Sequence, residues 1–164
     1  NEKFKIFKNG ISVIDLRASP GSWSQYIEKI VKSGRLVSID LKDMEEINNT
    51  IQIKGDFTQL ESQEKIKNFF KSKVDVVVSD MAVNTTGIKD IDAIYTGELA
   101  MEAMNFSREM LVKEGRFISK IFLGSSFNEI VALGKKIFKE VKVFKPKASR
   151  KESKESFIIC KLLR

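Results

Sequence analysis

Short apolar runs that alternate with helical patterns constrain the fold of this chain more than any other feature of its sequence. The runs are rich in β-branched residues and are followed by turn residues, which is typical of strands buried on both faces of a sheet. Five of them occur in the order ISVIDLR, RLVSIDL, IQIKGDF, VDVVVSDM and RFISKIF. The pattern predicts an α/β fold with a mostly parallel sheet flanked by helices.

Helical spacing separates several of these runs. Ser19 and Pro20 are expected to form the cap and first turn of a helix that continues to Gly34. Apolar residues at helical intervals also predict a long helix before Gly115 and a further helix after it. Those residues are Leu99, Ala103, Phe106 and Met110, then Phe127, Ile130, Val131 and Phe138.

Two last apolar runs, EVKVF and ESFIICKL, are separated only by the short segment KPKASRKESK. This segment is too short for a crossover helix, so the two runs should pair as antiparallel strands. No internal repeat or linker composition divides the chain. Residues 1–164 are therefore expected to form one domain whose last strand is antiparallel.

Composition excludes several kinds of chemistry. The chain has no histidine and one cysteine, so a zinc cluster and an internal disulfide are not expected, and no metal site is predicted. Cys160 lies in an apolar run and is expected to be a buried structural thiol. No apolar run is long enough to span a bilayer and the N-terminus lacks a signal-peptide pattern, so a soluble, cytoplasmic protein without a membrane partner is expected.

Positive charge is concentrated near the C-terminus. Residues 135 to 154 hold nine Lys or Arg residues against Glu140 and Glu152, and this excess equals the +7 formal charge of the whole chain. Such a run on one helix is usually a solvated face. Because this run continues through several elements, it is better interpreted as an edge that binds a polyanion such as RNA, with Lys147, Arg150 and Lys151 as candidate phosphate contacts.

Polar residues stand at the ends of successive predicted strands: Asp40, Asp56, Asp80 and Lys120. Each of them alone could be an ordinary loop or surface residue. Together they form a constellation at the edge where open α/β sheets bind ligands. The motif DLRASPGSW supplies a tight turn and a helix N-terminus, and Asp40 follows Gly21 by nineteen residues, so the spacing alone would also suit a dinucleotide site.

The order of motifs resembles that of the FtsJ/RrmJ ribose methyltransferases. The family pattern runs DLGAAPGGW, CDL, QGDF, SDMAPN, VKVF and SRxxSxE, and this chain has DLRASPGSW, IDL, KGDF, SDMAVN, ISKIF and SRKESKE in the same order. The resemblance implies a Rossmann-like methyltransferase fold. It also implies transfer of a methyl group from S-adenosylmethionine to a ribose 2′-hydroxyl of RNA, with ribosomal RNA or the large ribosomal subunit as the expected partner of a monomeric enzyme.

The resemblance assigns roles residue by residue. Gly21 and Trp23 would line the methionine side of the cofactor, Asp40 would bind its ribose, and Asp56 would bind the adenine amino group. Asp80 would adjoin the cofactor and also belong to the family's Lys-Asp-Lys-Glu catalytic set. Trp23 could equally be a core aromatic at helical spacing.

The other members of the catalytic set that match are Lys120 and Glu155. The first lysine of the set would fall just ahead of Asn1, so the N-terminal segment of the family is expected to be missing from this chain. Lys120 could orient the acceptor hydroxyl and stabilise the developing alkoxide, or act as a base in its neutral form. The sequence leaves both roles open.

Two positions depart from the family pattern, Arg17 in place of glycine and Val83 in place of proline. If residue 17 needs a left-handed backbone, a non-glycine residue there costs on the order of 1–2 kcal/mol. Arg17 could then obstruct the cofactor or pair with its carboxylate. One alternative is therefore a catalytically weak RNA-binding module of the same fold. Because the resemblance does not specify the RNA, a transfer-RNA or messenger-cap methyltransferase is another alternative. A nicotinamide dehydrogenase is disfavoured because G-x-G-x-x-G is absent.

Overall fold

A computed structural model describes residues 3–19, 21–80, 86–147 and 149–164 of the chain. These residues form seven strands and four helices. In chain order they are β1 (Ser12–Leu16), α1 (Ser22–Val31), β2 (Arg35–Asp40), β3 (Thr50–Lys54), α2 (Leu60–Phe70), β4 (Val74–Asp80), α3 (Lys89–Met110), β5 (Leu111–Phe122), α4 (Phe127–Ile137), β6 (Phe138–Phe144) and β7 (Glu155–Leu163).

All seven strands belong to one sheet, in the order β3-β2-β1-β4-β5-β7-β6. The first five strands pair in parallel, and β7 pairs antiparallel with both of its neighbours. The predicted fold class and the predicted antiparallel pairing of the last two runs are confirmed. The insertion of β7 between β5 and β6 brings the final strand next to the strand that carries Lys120.

Strand alternation divides the apolar residues into two cores, because successive side chains point to opposite faces of a sheet. One core lies between the sheet and α2, α3 and α4, and includes Ile14, Val77 and Phe117. The second core lies under α1; its strand residues include Val13, Val76, Val78, Ile118 and Ile159. Asp80 and Lys120 project to the same face of the sheet as Val78 and Ile118, so these polar residues lie on the α1 side.

Two predicted helix limits are wrong. The first helix begins at Ser22, and its N-cap is Gly21 rather than the predicted Ser19. Gly21 has a left-handed φ of 109°, which a helical residue does not adopt. Pro20 lies outside the described residues. Phe138 starts β6 instead of ending α4, and its buried ring stacks on Phe117 with the ring centroids 6.4 Å apart. Phe138 fits the helical spacing of α4 because its side chain packs into the same core as Ile130 and Ile137 of that helix.

The burial of Cys160 and the limited length of the apolar runs were also predicted from the sequence. Cys160 is buried, and this burial raises the pKa of its thiol to about 12, as expected for a structural cysteine. In the part of the chain that the structure describes, no helix combines the length and apolar character needed to cross a membrane.

Candidate active site

Lys120 lies between two carboxylates at the C-terminal edge of the parallel strands. Its Nζ is 2.9 Å from Oδ1 of Asp80 and 3.9 Å from Oε1 of Glu155. The Lys120 side chain is only 19% exposed, whereas that of Glu155 is 48% exposed. The structure therefore brings together the three residues predicted as catalytic, with the lysine sheltered and one carboxylate open to solvent.

Backbone register sets this arrangement. Asp80 on β4 is the direct partner of Lys120 on β5, and Lys120 in turn faces Phe157 on β7. Partners in register project to the same face of a sheet. That face also carries Val78, Ile118 and Ile159, so the charged group caps the apolar core under α1.

The prediction that Lys120 stands at the end of its strand is wrong by two residues. β5 extends to Phe122, because antiparallel pairing with β7 continues as far as the pair Phe122 and Glu155. This extension brings Glu155 level with the end of β5. Sequence order alone could not have placed the two residues side by side.

Asp40 ends β2 and is buried, with both carboxylate oxygens hydrogen-bonded. Its Oδ2 accepts a hydrogen bond from the Ser19 backbone N–H at 3.1 Å, and its Oδ1 accepts one from the Lys42 N–H at 2.9 Å. The carboxylate thus connects the turn after β1 to the end of β2. Each oxygen keeps a second lone pair, so it can still accept hydrogen bonds from a ligand hydroxyl.

Asp56 lies two residues beyond β3, in the turn before α2, and is half-buried. Its Oδ1 accepts hydrogen bonds from the backbone N–H and the hydroxyl of Thr58, at 3.0 and 2.8 Å. These bonds fix the carboxylate at the sheet edge that also carries Asp40. The sequence predicted the place of this residue but not its partner.

Gly21 occupies a position that other residues would fit poorly. Its φ is 109°, and a Cβ at this residue would lie 3.2 Å from Cδ1 of Ile47. Its carbonyl accepts the first α1 hydrogen bond, from the Gln25 N–H at 2.8 Å. The turn between β1 and α1 can therefore pass close to a bound ligand.

Trp23 is half-buried and projects toward β7. Its ring stacks on Phe157 with a centroid distance of 5.8 Å and an interplanar angle of 29°. Both residues pack against the core under α1 and line an apolar groove of about 370 Å³ beside it. Trp23 therefore shares the environment of Phe157, the register partner of Lys120.

Asp15 is a further acidic residue beside Asp40 and Asp80, and the sequence motifs did not single it out. It is fully buried on β1, and its Oδ2 accepts a hydrogen bond of 2.5 Å from the Ser24 hydroxyl, which is itself 2.5 Å from the Ser38 hydroxyl. Its Oδ1 has no hydrogen-bond partner among the described residues. The signal was present as the one acidic residue inside the apolar run ISVIDL.

The surroundings of Asp15 alter its acidity. Burial is the main cause that raises the pKa of its carboxyl from 3.8 to about 7, the hydrogen bond from Ser24 opposes the shift, and the nearby charges of Asp80 and Asp40 add to it. Three acidic side chains on adjacent strands thus lie close together at this edge. Such an edge favours a ligand with cationic or hydrogen-bond-donating groups.

Arg17 has a left-handed backbone conformation, the one considered above for the position where the family has glycine. Its φ is 60°, in the left-handed region, and the residue is half-buried directly after β1. The backbone of this turn therefore does require the conformation that glycine adopts most easily. The other departure, Val83, lies outside the described residues.

The three candidate phosphate contacts lie in the turn that joins β6 to β7. Lys147, Arg150 and Lys151 are all exposed, and Arg150 lines a pocket together with Glu155. Lys145 differs from them, because its Nζ donates hydrogen bonds to the carbonyls of Lys151 and Ser153 at 3.3 and 2.6 Å. The turn is therefore held against β6 while its other basic side chains face solvent beside the Lys120 group.

The family model of FtsJ-like methyltransferases matches residues 1–163. The chain belongs to the FtsJ-like methyltransferase family. The predicted family, fold class and enzyme class are thereby confirmed.

Individual relatives agree with this membership of the FtsJ-like family. Ribosomal RNA large subunit methyltransferase E of Pelagibacter ubique (strain HTCC1062) is 91% identical over 164 residues, which span 100% of this chain and 81% of that protein. The protein of the same name from Methanocaldococcus jannaschii is 41% identical over 167 residues, covering 98% of this chain and 68% of its own length.

Solved structures place this FtsJ-like chain in the same fold. A Plasmodium falciparum protein named as a ribosomal RNA methyltransferase superposes with a TM-score of 0.85 at 28% identity, covering 99% of this chain and 91% of that one. Human methyltransferase-like protein 13, crystallised with SAH, superposes with a TM-score of 0.70 at 11% identity, covering 96% and 74%. At that identity the second likeness shows the fold alone.

Proposed function

We propose that this FtsJ-like methyltransferase transfers a methyl group from S-adenosylmethionine to a ribose 2′-hydroxyl of large-subunit ribosomal RNA. The observation that carries the proposal is the Lys120 side chain held between Asp80 and Glu155. Asp40 ends β2 at the same sheet edge, and Asp15 lies one residue before the end of β1. Family membership and the names of the relatives support the same reaction and substrate.

The residues at this edge fit S-adenosylmethionine chemically. The buried Oδ1 of Asp15, which has no hydrogen-bond partner among the described residues, suits a ligand ammonium. The Asp40 carboxylate suits ribose hydroxyls, and Asp56 suits the adenine amino group. Gly21 would let the backbone approach the methionine part, and Trp23 and Asp80 would adjoin it. When bound, the cofactor supplies an electrophilic methyl group on a sulfonium.

The chain's own contribution is to hold and polarise the acceptor hydroxyl. We assign to the Lys120 Nζ a hydrogen bond to the acceptor oxygen, which stabilises the negative charge that develops as this oxygen attacks the methyl group. The proton of the hydroxyl passes to the exposed carboxylate of Glu155. Asp80, 2.9 Å away, keeps the ammonium in position, and Glu155 limits its movement on the opposite side. The apolar residues below the group keep water away from the reacting oxygen.

Substrate RNA would enter from the side of the β6–β7 turn. Lys147, Arg150 and Lys151 are exposed there and can contact phosphates without reading base sequence. We further propose that the enzyme acts as a monomer. A ribosomal RNA substrate would also fit the predicted cytoplasmic location.

The proposal is tested by methyl transfer from labelled S-adenosylmethionine to large ribosomal subunits isolated from cells that lack the enzyme. We expect label in large-subunit RNA, and mass spectrometry of nuclease fragments should locate it on one ribose 2′-oxygen. Transfer RNA and capped messenger RNA serve as competing substrates in the same assay. Label only in one of those, or on a base rather than a ribose, would overturn the assignment.

A further inference from the structure

A pocket of about 400 Å³ opens between β7 and the turn that precedes it. It is lined by Pro146, Ser149, Arg150, Ser153, Glu155 and Phe157. Its walls thus combine an aromatic ring and a proline with hydroxyl groups and one charge of each sign. The volume lies within the range of small-ligand sites.

The pocket adjoins the Lys120 group directly. Glu155 belongs to both, since its Oε1 is 3.9 Å from the Lys120 Nζ while the same residue lines the pocket. Phe157 faces Lys120 across β5 and β7 as its register partner. In a nucleotide, the carbon that bears the base is bonded to the carbon that bears the 2′-hydroxyl. A ribose whose 2′-oxygen lies at Lys120 therefore carries its base within a few bonds of that oxygen, near enough to reach this pocket.

The lining suits a nucleobase. Phe157 already stacks on Trp23 in a nearly parallel arrangement and, together with Pro146, gives the pocket an apolar surface against which a flat ring can pack. Arg150 is exposed at the rim, where it can meet the phosphate that accompanies a base. Charge and shape together favour a nucleotide over an apolar ligand.

Backbone hydrogen bonds hold the pocket open before any ligand arrives. The Ser149 N–H donates to the Pro146 carbonyl at 3.0 Å, and the Ser153 N–H donates to the Arg150 carbonyl at 3.0 Å. Lys145 bonds two further carbonyls of the turn. A preformed pocket loses little conformational entropy on binding.

We infer that this pocket receives the base of the acceptor nucleotide and so orients its ribose at Lys120. The inference rests on the proposed function and deepens it. Base stacking tolerates any base identity, so the pocket fixes the orientation of the nucleotide rather than choosing a sequence. Recognition of the base then contributes to the placement of the hydroxyl, and its loss should lower kcat/KM.

The test compares two ribosomal RNA fragments that differ only at the mapped acceptor nucleotide, one with its base and one abasic with an intact 2′-hydroxyl. For the wild-type protein we expect kcat/KM to be about 10-fold lower on the abasic RNA, the size of effect that loss of one stacked base produces. Phe157→Leu, which removes the aromatic surface, and Ser149→Leu, which fills the pocket from the exposed turn, should reduce this preference to about 2-fold.

Phe69→Leu is the matched control, because Phe69 is a partly exposed phenylalanine on α2 and should leave the preference unchanged. Should Phe157→Leu unfold, Ser149→Leu still tests the inference, since Ser149 lies outside both apolar cores. Equal rates on the two RNAs, or a preference that neither pocket variant alters, would overturn the base pocket alone. Wild-type protein that methylates neither RNA nor intact subunits would instead overturn the proposed function.

Discussion

Lys120 and Asp80 are joined both through their side chains and through their backbones. The Lys120 Nζ lies 2.9 Å from Asp80 Oδ1, and the two residues are register partners on β4 and β5. The sheet fixes both Cα positions, so assembly of β4 and β5 brings the two charged groups within reach of each other. A cation of another shape would not reproduce the same placement.

The first prediction follows from this geometry. Lys120→Ala should reduce single-turnover methyl transfer by at least about 10²-fold, since positioning and charge stabilisation act on the transition state. Lys120→Arg should also fail, because the planar guanidinium presents its donors differently. Cofactor affinity, measured by calorimetry, should change little in either variant. Near-normal turnover by Lys120→Ala would remove this residue from the mechanism.

Asp40→Ala should weaken S-adenosylmethionine binding by about 10-fold or more, because it removes a charged hydrogen-bond acceptor from the ribose position. Asp43→Ala is the matched control, since Asp43 is an exposed aspartate that pairs with Lys54 at 3.0 Å. Isothermal calorimetry on the three proteins measures the difference. Equal affinities for Asp40→Ala and wild type would contradict the assignment, and failure of the wild type to bind cofactor would favour the RNA-binding module.

Asp15 should make stability depend on pH. Its pKa is raised to about 7 in the folded protein from 3.8, so the folded state holds the proton more tightly than the unfolded state. The resulting stabilisation is complete below about pH 4, is lost as the pH rises toward 7, and is on the order of a few kcal/mol.

Thermal unfolding between pH 4.5 and 8 measures this effect. Asp15→Asn should lose less stability than wild type as the pH rises from 4.5 to 7, whereas the exposed Asp43→Asn should follow the wild-type curve. Parallel curves for Asp15→Asn and wild type would show that this carboxyl is not buried as described.

Cofactor binding should release a proton from Asp15. A ligand ammonium beside the carboxyl favours its ionised form, so binding near pH 6.5 should expel the proton that the raised pKa retains. Calorimetry in buffers of different ionisation enthalpy counts the protons released. We expect a release that disappears in Asp15→Asn, and identical binding enthalpies of the wild type in all buffers would argue against contact between Asp15 and the cofactor.

Neutralising Lys147, Arg150 and Lys151 together to Ala should weaken RNA binding and lower the slope of log affinity against log salt by about 2, since each phosphate contact contributes about 0.7–0.9. Cofactor affinity should be unaffected. A control that neutralises the exposed Lys29, Lys65 and Lys113 makes the same change in net charge away from the turn. A wild-type salt slope in the first variant would place the phosphate contacts elsewhere.

The elements that local sequence controls agree with their prediction. The strands from β1 to β4 were predicted because β-branched runs between turns leave few alternatives. The prediction was wrong at the start of α1, where the left-handed Gly21 delays the helix, and at Phe138, where burial on one face mimics helical spacing. Asp15 was overlooked because its hydrogen bond from Ser24 and its proximity to Asp40 and Asp80 arise only when α1 and the neighbouring strands are assembled.

The sequence by itself determined the family, the fold class and the identity of the candidate residues, because motif order and apolar periodicity are properties of neighbouring residues. Only the tertiary structure decided that β7 lies between β5 and β6 and so brings Glu155 beside Lys120. It also decided the stacking of Trp23 on Phe157 and the raised pKa of Asp15. These features depend on contacts and desolvation between residues distant in the chain, and such energies are fixed only when the sheet is assembled.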